Sequence, residues 1–260
     1  MKETVVHVVY YIYWIFEMKA HINTLLIALA VVIAASYLAD AVLKRNEADN
    51  SLFVTGLGSK DFVSDLIIWQ SDISARNPDL KAAYASLAQS KNAVKDYLTK
   101  KGVQQKEIEL TSIDIEKEFN NIYNENGNVI GSTFVGYKLT QSIRVESKQV
   151  DLVERISREV SELINSGIEI TTNPPLYYYT KLAELKLEMI ETATEDARKR
   201  AEKIADNADS ELGKLKNASM GVFQIIGQNS DEEYESGGSF NTSKKNKTAT
   251  ITVRLEYATE

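Results

Sequence analysis

Three features of the sequence predict an α+β fold in which an N-terminal transmembrane helix precedes a duplicated βαβ-like domain. Residues 20–39 (AHINTLLIALAVVIAASYLA) carry no charge, and twenty helical residues span about 30 Å, the thickness of a bilayer's hydrocarbon core. Apolar and polar residues alternate over Ile113–Phe119 and again over Val135–Val145, which indicates antiparallel strands with one wet and one buried face. Two strand–helix–glycine–strand units recur, and we expect their helices to pack on one face of a mostly antiparallel sheet.

The sequence divides into four segments on this interpretation. Residues 1–19 are an N-terminal tail, 20–39 a transmembrane signal-anchor, 40–50 a polar linker and 51–260 the main domain. Met18 is an alternative start, because Met18 and the lysine after it, followed by an apolar run, resemble the beginning of a signal-anchor. In that case translation starts at Met18, and the residues before it do not belong to the protein.

The segment predicts a single-pass protein of the bacterial inner membrane, with its C-terminal domain in the periplasm or outside. The basic residues near the span favour neither orientation, since two precede it and two, Lys44 and Arg45, follow it. Ala39-Asp40-Ala41 has the small-x-small form of a cleavage site, so release from the membrane stays open. A lipoprotein is excluded because the chain has no cysteine.

Composition argues against several classes of function. The chain has 37 acidic and 30 basic residues and a net charge of −7, so we expect no binding to the phosphate backbone of nucleic acids. Its two histidines, His7 and His21, both precede residue 22. Downstream of them, hydrolysis by histidine or cysteine, zinc sites and haem or iron–sulfur ligation are excluded. We predict a protein that is not an enzyme and has no cofactor and no metal, although carboxylate, lysine or tyrosine chemistry stays open.

The main domain opens with two predicted strands and a helix. Leu52–Thr55 starts a strand that meets Gly56-Leu57-Gly58, and Asp65–Ser74 alternates well enough for a second strand. Asn77-Pro78-Asp79 is a helix-start signal, and apolar residues at three-four spacing continue to Lys101-Gly102, where the glycine ends the helix.

A long hairpin and a second helix are predicted next. Ile113–Phe119 and Val135–Val145 alternate around an Asn-rich loop that contains Asn126-Gly127. Ser147 is predicted to cap a helix that ends at Gly167.

The last third of the sequence predicts a long helix and two more strands. After a short strand at Ile168–Thr172, the helix is expected over residues 179–208. Strand patterns return at Ala218–Ile226 and Thr248–Tyr257. The polar residues 228–247 form a loop long enough to be either mobile or functional.

Three stretches, in this order, resemble the SIMPL domain (DUF541), a family of bacterial cell-envelope proteins. They are Val54–Gly58 with Asp65 seven residues on, Gly136-Tyr137 leading into Ile143-Arg144-Val145, and Ala193–Ala205 followed by Leu212-Gly213-Lys214. The resemblance covers residues 51–257. It implies a periplasmic or envelope domain of unknown activity without established catalytic residues. Some members are linked to oxidative-stress tolerance, and one relative assembles into a ring-like homo-oligomer.

Small residues supply two candidate sites. Four alanines form a ladder down one side of the third helix: Ala193, Ala197, Ala201 and Ala205. The ladder is either tight packing within the chain or a seam for self-association. Gly56-Leu57-Gly58 indicates a β-bulge or turn rather than a phosphate loop, because Asp61 stands where a dinucleotide fingerprint has its third glycine.

Carboxylates and tyrosines supply two further candidate sites. Three carboxylates share one strand face: Asp114, Glu116 and Glu118. We interpret them as an exposed face that discourages edge pairing, with a divalent-cation site as the alternative. Three tyrosines follow two prolines: Tyr177, Tyr178 and Tyr179. Tyrosines concentrate at interfaces, so this segment is a candidate contact with a partner or a second copy, with simple packing as the alternative.

We therefore expect a membrane-anchored envelope domain that acts as a non-enzymatic oligomerisation or interaction module, with a link to envelope or oxidative stress. The expected partners are copies of the chain itself, another envelope protein, and the membrane through residues 20–39. Two alternatives stay open, namely a binding protein for a small ligand or divalent cation and, less favoured, a hydrolase built on carboxylates.

Overall fold

The computed structural model describes residues 25–42 and 51–259. Helix α1, Leu25–Val42, is exposed along its length, and it is long and apolar enough to cross a membrane. A signal sequence near an N-terminus has the same properties. The predicted tail 1–19, the first five residues of the predicted span and most of the predicted linker lie outside the described residues.

Residues 51–259 form ten strands and three further helices, and the named strands pair only in the antiparallel sense. The strands are β1 Ser51–Val63, β2 Leu66–Asn77, β3 Ile108–Leu110, β4 Asp114–Tyr123, β5 Val129–Ser147, β6 Glu169–Thr172, β7 Leu176–Tyr178, β8 Leu212–Met220, β9 Gln224–Gly227 and β10 Asn246–Thr259. The helices are α2 Leu80–Lys100, α3 Val150–Glu159 and α4 Leu182–Asn207. The predicted combination of helices with antiparallel strands is confirmed.

The strands build two sheets, whereas the sequence pattern predicted one. The large sheet has the order β3-β5-β2-β6, with β4 beside β5 and β7 beside β2. The small sheet has the order β1-β10-β8, with β9 also beside β10. Period-two alternation shows that a strand has a buried face but does not identify its neighbours, so sequence patterns could not separate the two sheets.

The large sheet carries α2 and α3 on one face. β2 and β5 are central, and each is followed by a helix and then by a strand on the far side of the other. This order is that of the split βαβ motif. The core between sheet and helices includes Trp69, which is fully buried. Whether the two units are a duplication stays a prediction.

The boundaries of the first two helices follow local signals. The Asp79 carboxylate accepts the N–H of Ala82 at 2.8 Å and caps α2, which is confirmed close to its predicted limits. Ser147 does not cap α3. It ends β5, donates its hydroxyl to Glu107 and accepts the N–H of Gln149, the residue at the cap position. A short 3₁₀ segment continues α3 to Gly167, whose φ of 77° ends the helix as predicted.

The small sheet packs on α4. One strand was predicted over Ala218–Ile226, but β8 ends at Met220 and β9 begins at Gln224. β8 pairs with the second half of β10, and β9 pairs with residues near the start of β10. α4 begins at Leu182, later than predicted, because residues 179–181 form the turn that leads from β7 into the helix.

Residues 228–245, within the loop predicted to be mobile or functional, form a strap that joins the two sheets. On one side, Ile225 of β9 donates its N–H to the Ser239 carbonyl at 2.8 Å. On the other, Tyr177 of β7 donates its N–H to the Thr242 carbonyl at 2.7 Å. The strap therefore lies between an edge of each sheet and connects them through backbone hydrogen bonds.

Candidate interaction surface

The β4–β5 hairpin extends beyond the large sheet as a two-stranded arm, residues 118–136. β2 pairs with β5 only as far as Tyr137, so within the described residues the arm part of β5 pairs with β4 alone. Its exposed large apolar side chains are Phe119, Ile122, Tyr123, Val129, Ile130, Phe134 and Val135. A two-stranded ribbon is only marginally stable alone in water, and contiguous exposed apolar surface marks interaction sites.

A row of aromatic rings follows the arm on the face that helices cover elsewhere in the large sheet. Ile115, at the base of the arm, pairs with the buried Leu139 and so lies on this helix side. The rings continue outward, with centroid distances of 5.7 Å from Phe119 to Phe134 and 5.2 Å from Phe134 to Tyr137. The helices do not cover the row, since Phe119 and Phe134 are 53% and 43% exposed.

On its opposite face, the base of the hairpin is polar and carries ion pairs. Arg76 of β2 donates to Glu118 at 3.0 Å and also to Glu169. These two hydrogen bonds raise the pKa of the Arg76 guanidinium. Glu116 lies 3.9 Å from the ammonium of Lys138. Glu116 and Glu118 therefore face basic neighbours, and the described residues contain no group of three or more His, Cys, Asp or Glu that could hold a metal ion.

The tyrosine segment lies between the two cores. Tyr177 is 7% exposed and belongs to the core of the large sheet, whereas Tyr179 packs on the core of the small sheet. The ring of Tyr179 is 4.7 Å from that of Phe62, and the ring of Tyr178 is 6.4 Å from that of Phe240 in the strap. All three rings make contacts within the chain, and their predicted role toward a partner stays untested.

The alanine ladder is buried under β1. Ala193, Ala197 and Ala201 are fully buried and Ala205 nearly so. β1 keeps an unbroken register with β10 through Gly56 and Gly58, so the predicted bulge or turn is wrong. The glycines leave room for the helix instead: a Cβ at position 56 would meet the Ala193 carbonyl oxygen at 2.1 Å. In this fold the ladder holds α4 against the sheet, and its predicted role as a seam for self-association stays untested.

Asp196 of α4 closes the edge of β1 at the same place. Its carboxylate accepts the N–H of Leu57 at 2.9 Å and pairs with Arg200 at 3.0 Å. The hydrogen bond from Leu57, followed by that from Arg200, lowers the pKa of Asp196. An edge strand offers unpaired N–H groups to other chains, and this contact occupies one of them.

Lys247 is a buried basic side chain at the junction of the sheets. It is 1% exposed, and its Nζ donates to the Tyr177 carbonyl at 2.6 Å and lies 6.0 Å from the Phe240 ring centroid. Burial lowers its pKa from 10.5 to about 8, against an opposing effect of the charge on Glu232. The hydrogen bond of this ammonium links β10 to β7. Removing the charge from water opposes that stabilisation.

This burial predicts a pH dependence of stability. Because the folded-state pKa of Lys247 is the lower one, the unfolded chain binds more protons between pH 8 and 10.5. Wild-type stability should therefore rise across that window by about 2 kcal/mol relative to Lys247→Met. Urea unfolding of both proteins at pH 7, 8.5 and 10 measures the difference. Lys203→Met, on the exposed side of α4, should follow the wild type, and parallel profiles for Lys247→Met would contradict a buried charge.

Sequence reasoning missed the arm, although the pattern contained a signal. Val129 and Ile130 are adjacent, as are Phe134 and Val135, and adjacent strand residues point to opposite faces. Such pairs are incompatible with a hairpin that has one wet face throughout. The predicted wet and buried faces hold only for the part of β5 that lies beside β2.

The chain matches a family model over nearly all of residues 51–259. The model is SIMPL, a protein of unknown function (DUF541), and the match covers residues 52–257. A comparison with curated proteins finds no relative that matches. The matched range begins in β1 and ends in β10, so it contains both sheets, the arm and the strap.

Proposed function

Since the chain belongs to the SIMPL (DUF541) family, whose function is unknown, we propose that it is a non-enzymatic interaction module that associates with copies of itself through the arm. The observation that carries this proposal is the exposed aromatic row on a two-stranded ribbon. Contact of these rings with water is unfavourable, so an interface that covers them is stabilised by their burial.

The size of the apolar surface supports a specific contact rather than a chance exposure. Together with Ile115, the arm exposes eight large apolar side chains, each about half accessible. They lie on both faces of the ribbon. Those on the helix side, which include Ile115, Phe119, Tyr123 and Phe134, amount to about 400 Å² at roughly 100 Å² each, a contiguous patch of the size that marks an interaction site. A role for the module in envelope or oxidative stress belongs to the same proposal.

The membrane helix gives the proposed module its location. We propose that the predicted span at residues 20–39, of which α1 contains the greater part, holds the chain in the bacterial inner membrane. The following domain would then lie in the periplasm. Confinement to a membrane raises the effective concentration of the copies, so even a modest affinity through the arm would assemble them.

The test is the mass of the full chain, purified in a mild nonionic detergent, over a range of concentrations. We expect light scattering with detergent correction to give more than one copy, and the number of copies to fall on dilution. A protein mass that stays at 29.1 kDa at every concentration would overturn self-association. A second outcome, an assembly that survives loss of the arm rings, would place the contact elsewhere.

A further inference from the structure

The free edge of β4 has a self-complementary sequence, and from it we infer how two copies join. We propose that β4 pairs with β4 of a second copy, antiparallel and centred on Phe119, so that the two large sheets become one. This inference rests on the proposed self-association through the arm and specifies its geometry.

The backbone of β4 is available for such pairing. Within the described residues β4 pairs with β5 on one side, and no other strand pairs with it. It is ten residues long and contains neither proline nor glycine. Natural edge strands are usually protected by charged side chains, bulges, prolines or a covering element, and the charges of β4 lie only in its first half, Asp114–Glu118. Here the bulges lie in β5, opposite β4, at the steps after Glu118 and Ile122.

Side-chain chemistry selects a second copy as the partner. The acidic residues of β4 all lie in its first half, at 114, 116 and 118, and its second half, Phe119–Tyr123, is uncharged. Antiparallel pairing about Phe119 sets the acidic half of one strand against the uncharged half of the other. Glu116 then lies opposite Ile122, and Glu118 opposite Asn120. No like charges meet, which is the requirement for a stable cross-strand pair.

The same register aligns the apolar side chains. Two-fold antiparallel pairing at an edge keeps the helix-side faces continuous, so residues of equal parity face one another. With Phe119 at the centre, its ring meets its own copy and Ile115 meets Tyr123. The aromatic row of Phe119, Phe134 and Tyr137 then continues into the partner's row, and aromatic cross-strand pairs stabilise such contacts.

Neighbouring arrangements fit less well. Centring on Glu118 would set that carboxylate opposite itself. Centring on Asn120 would place Phe119 opposite Asn121 and Ile115 opposite Glu125, which loses the apolar pairs. Parallel in-register pairing would set the acidic half of β4 beside its own copy, and like charges directly opposite are destabilising.

Single cysteines test the register directly, because the chain has none of its own. Opposed residues on antiparallel strands have Cα atoms about 4.5–5.5 Å apart, within the range of about 4.4–6.8 Å that a disulfide needs. We would make Phe119→Cys, Ile115→Cys and Tyr123→Cys in the full chain. Mild oxidation would be followed by non-reducing electrophoresis, with Leu187→Cys on the exposed side of α4 as the control.

The expected result is a linked dimer from Phe119→Cys alone and from Ile115→Cys mixed with Tyr123→Cys. Neither of the last two should link when oxidised by itself, nor should the control. Self-linking of Ile115→Cys or Tyr123→Cys, without linking at 119, would overturn the register. If light scattering shows an assembly but none of these pairs links, self-association stands and the β4 pairing is wrong. If the chain is a monomer, both the pairing and the proposed function fail.

Discussion

Gly56→Ala should unfold the chain at a much lower urea concentration than the wild type, with a loss of about 3 kcal/mol or more in the free energy of unfolding. The added Cβ would lie 2.1 Å from the Ala193 carbonyl oxygen and 2.4 Å from the Ala197 nitrogen. Both atoms belong to the backbone of α4, so no side-chain rotation relieves the clash. The helix must move off β1, and the buried row of alanines loses its contacts.

The matched control for this substitution is Gly131→Ala, a strand glycine with open space around it. The nearest atom to its new Cβ is Cδ1 of Ile122 at 3.9 Å, an ordinary contact. We expect a change within about 0.5 kcal/mol, measured by circular dichroism during urea titration. Equal stabilities for Gly56→Ala and Gly131→Ala would mean that α4 does not pack on β1 at this distance.

Replacing Phe119 and Phe134 together by serine should separate the copies without unfolding the chain. Each ring buries roughly 100 Å² in the proposed contact, and at about 25 cal/mol per Å² the pair contributes about 5 kcal/mol per copy. At tenfold per 1.4 kcal/mol, the loss from one copy alone corresponds to a weakening of association by more than about a thousandfold. Because both rings are half exposed in the single chain, the far-ultraviolet circular dichroism should stay unchanged.

The control removes as much exposed apolar surface at sites outside the arm. Ile164 and Leu187 are 56% and 70% exposed, and their joint replacement by serine should leave the mass of the assembly unchanged. If the arm variant keeps the wild-type mass while the control loses it, the contact lies on the helical side of the domain instead.

Local signals made much of the fold predictable. Asp79 and Gly102 mark the two ends of α2 because a side-chain cap and a glycine act on the helix backbone within one turn. The paired strands β4 and β5 follow from alternation on both sides of Asn126-Gly127. Such signals depend on neighbours in sequence and need no knowledge of tertiary contacts.

Long-range contacts account for the errors. The local sequence predicted a bulge or turn at Gly56 and Gly58, because their partner, the alanine ladder, lies some 140 residues later in the chain. The tyrosine segment and the strap likewise take their places from contacts between the two sheets. Sequence alone could find the alanines and glycines but could not bring them together.

The candidate interaction surface was not predicted for a related reason. Exposure of Phe119 and Phe134 depends on where α2, α3 and β2 end relative to the hairpin. A sequence pattern shows which residues share a face but not how far that face is covered. The length of β5, 19 residues beside a β2 of 12, sets the reach of the arm.

The most direct test of the central claim is amide hydrogen exchange of residues 114–123 in the full chain at high and at low protein concentration. If a second copy covers the edge of β4, exchange of these amides should slow as the concentration rises, while exchange in α2 stays constant. Exchange along β4 that is independent of concentration, in a chain that keeps its fold, would contradict self-association through the arm.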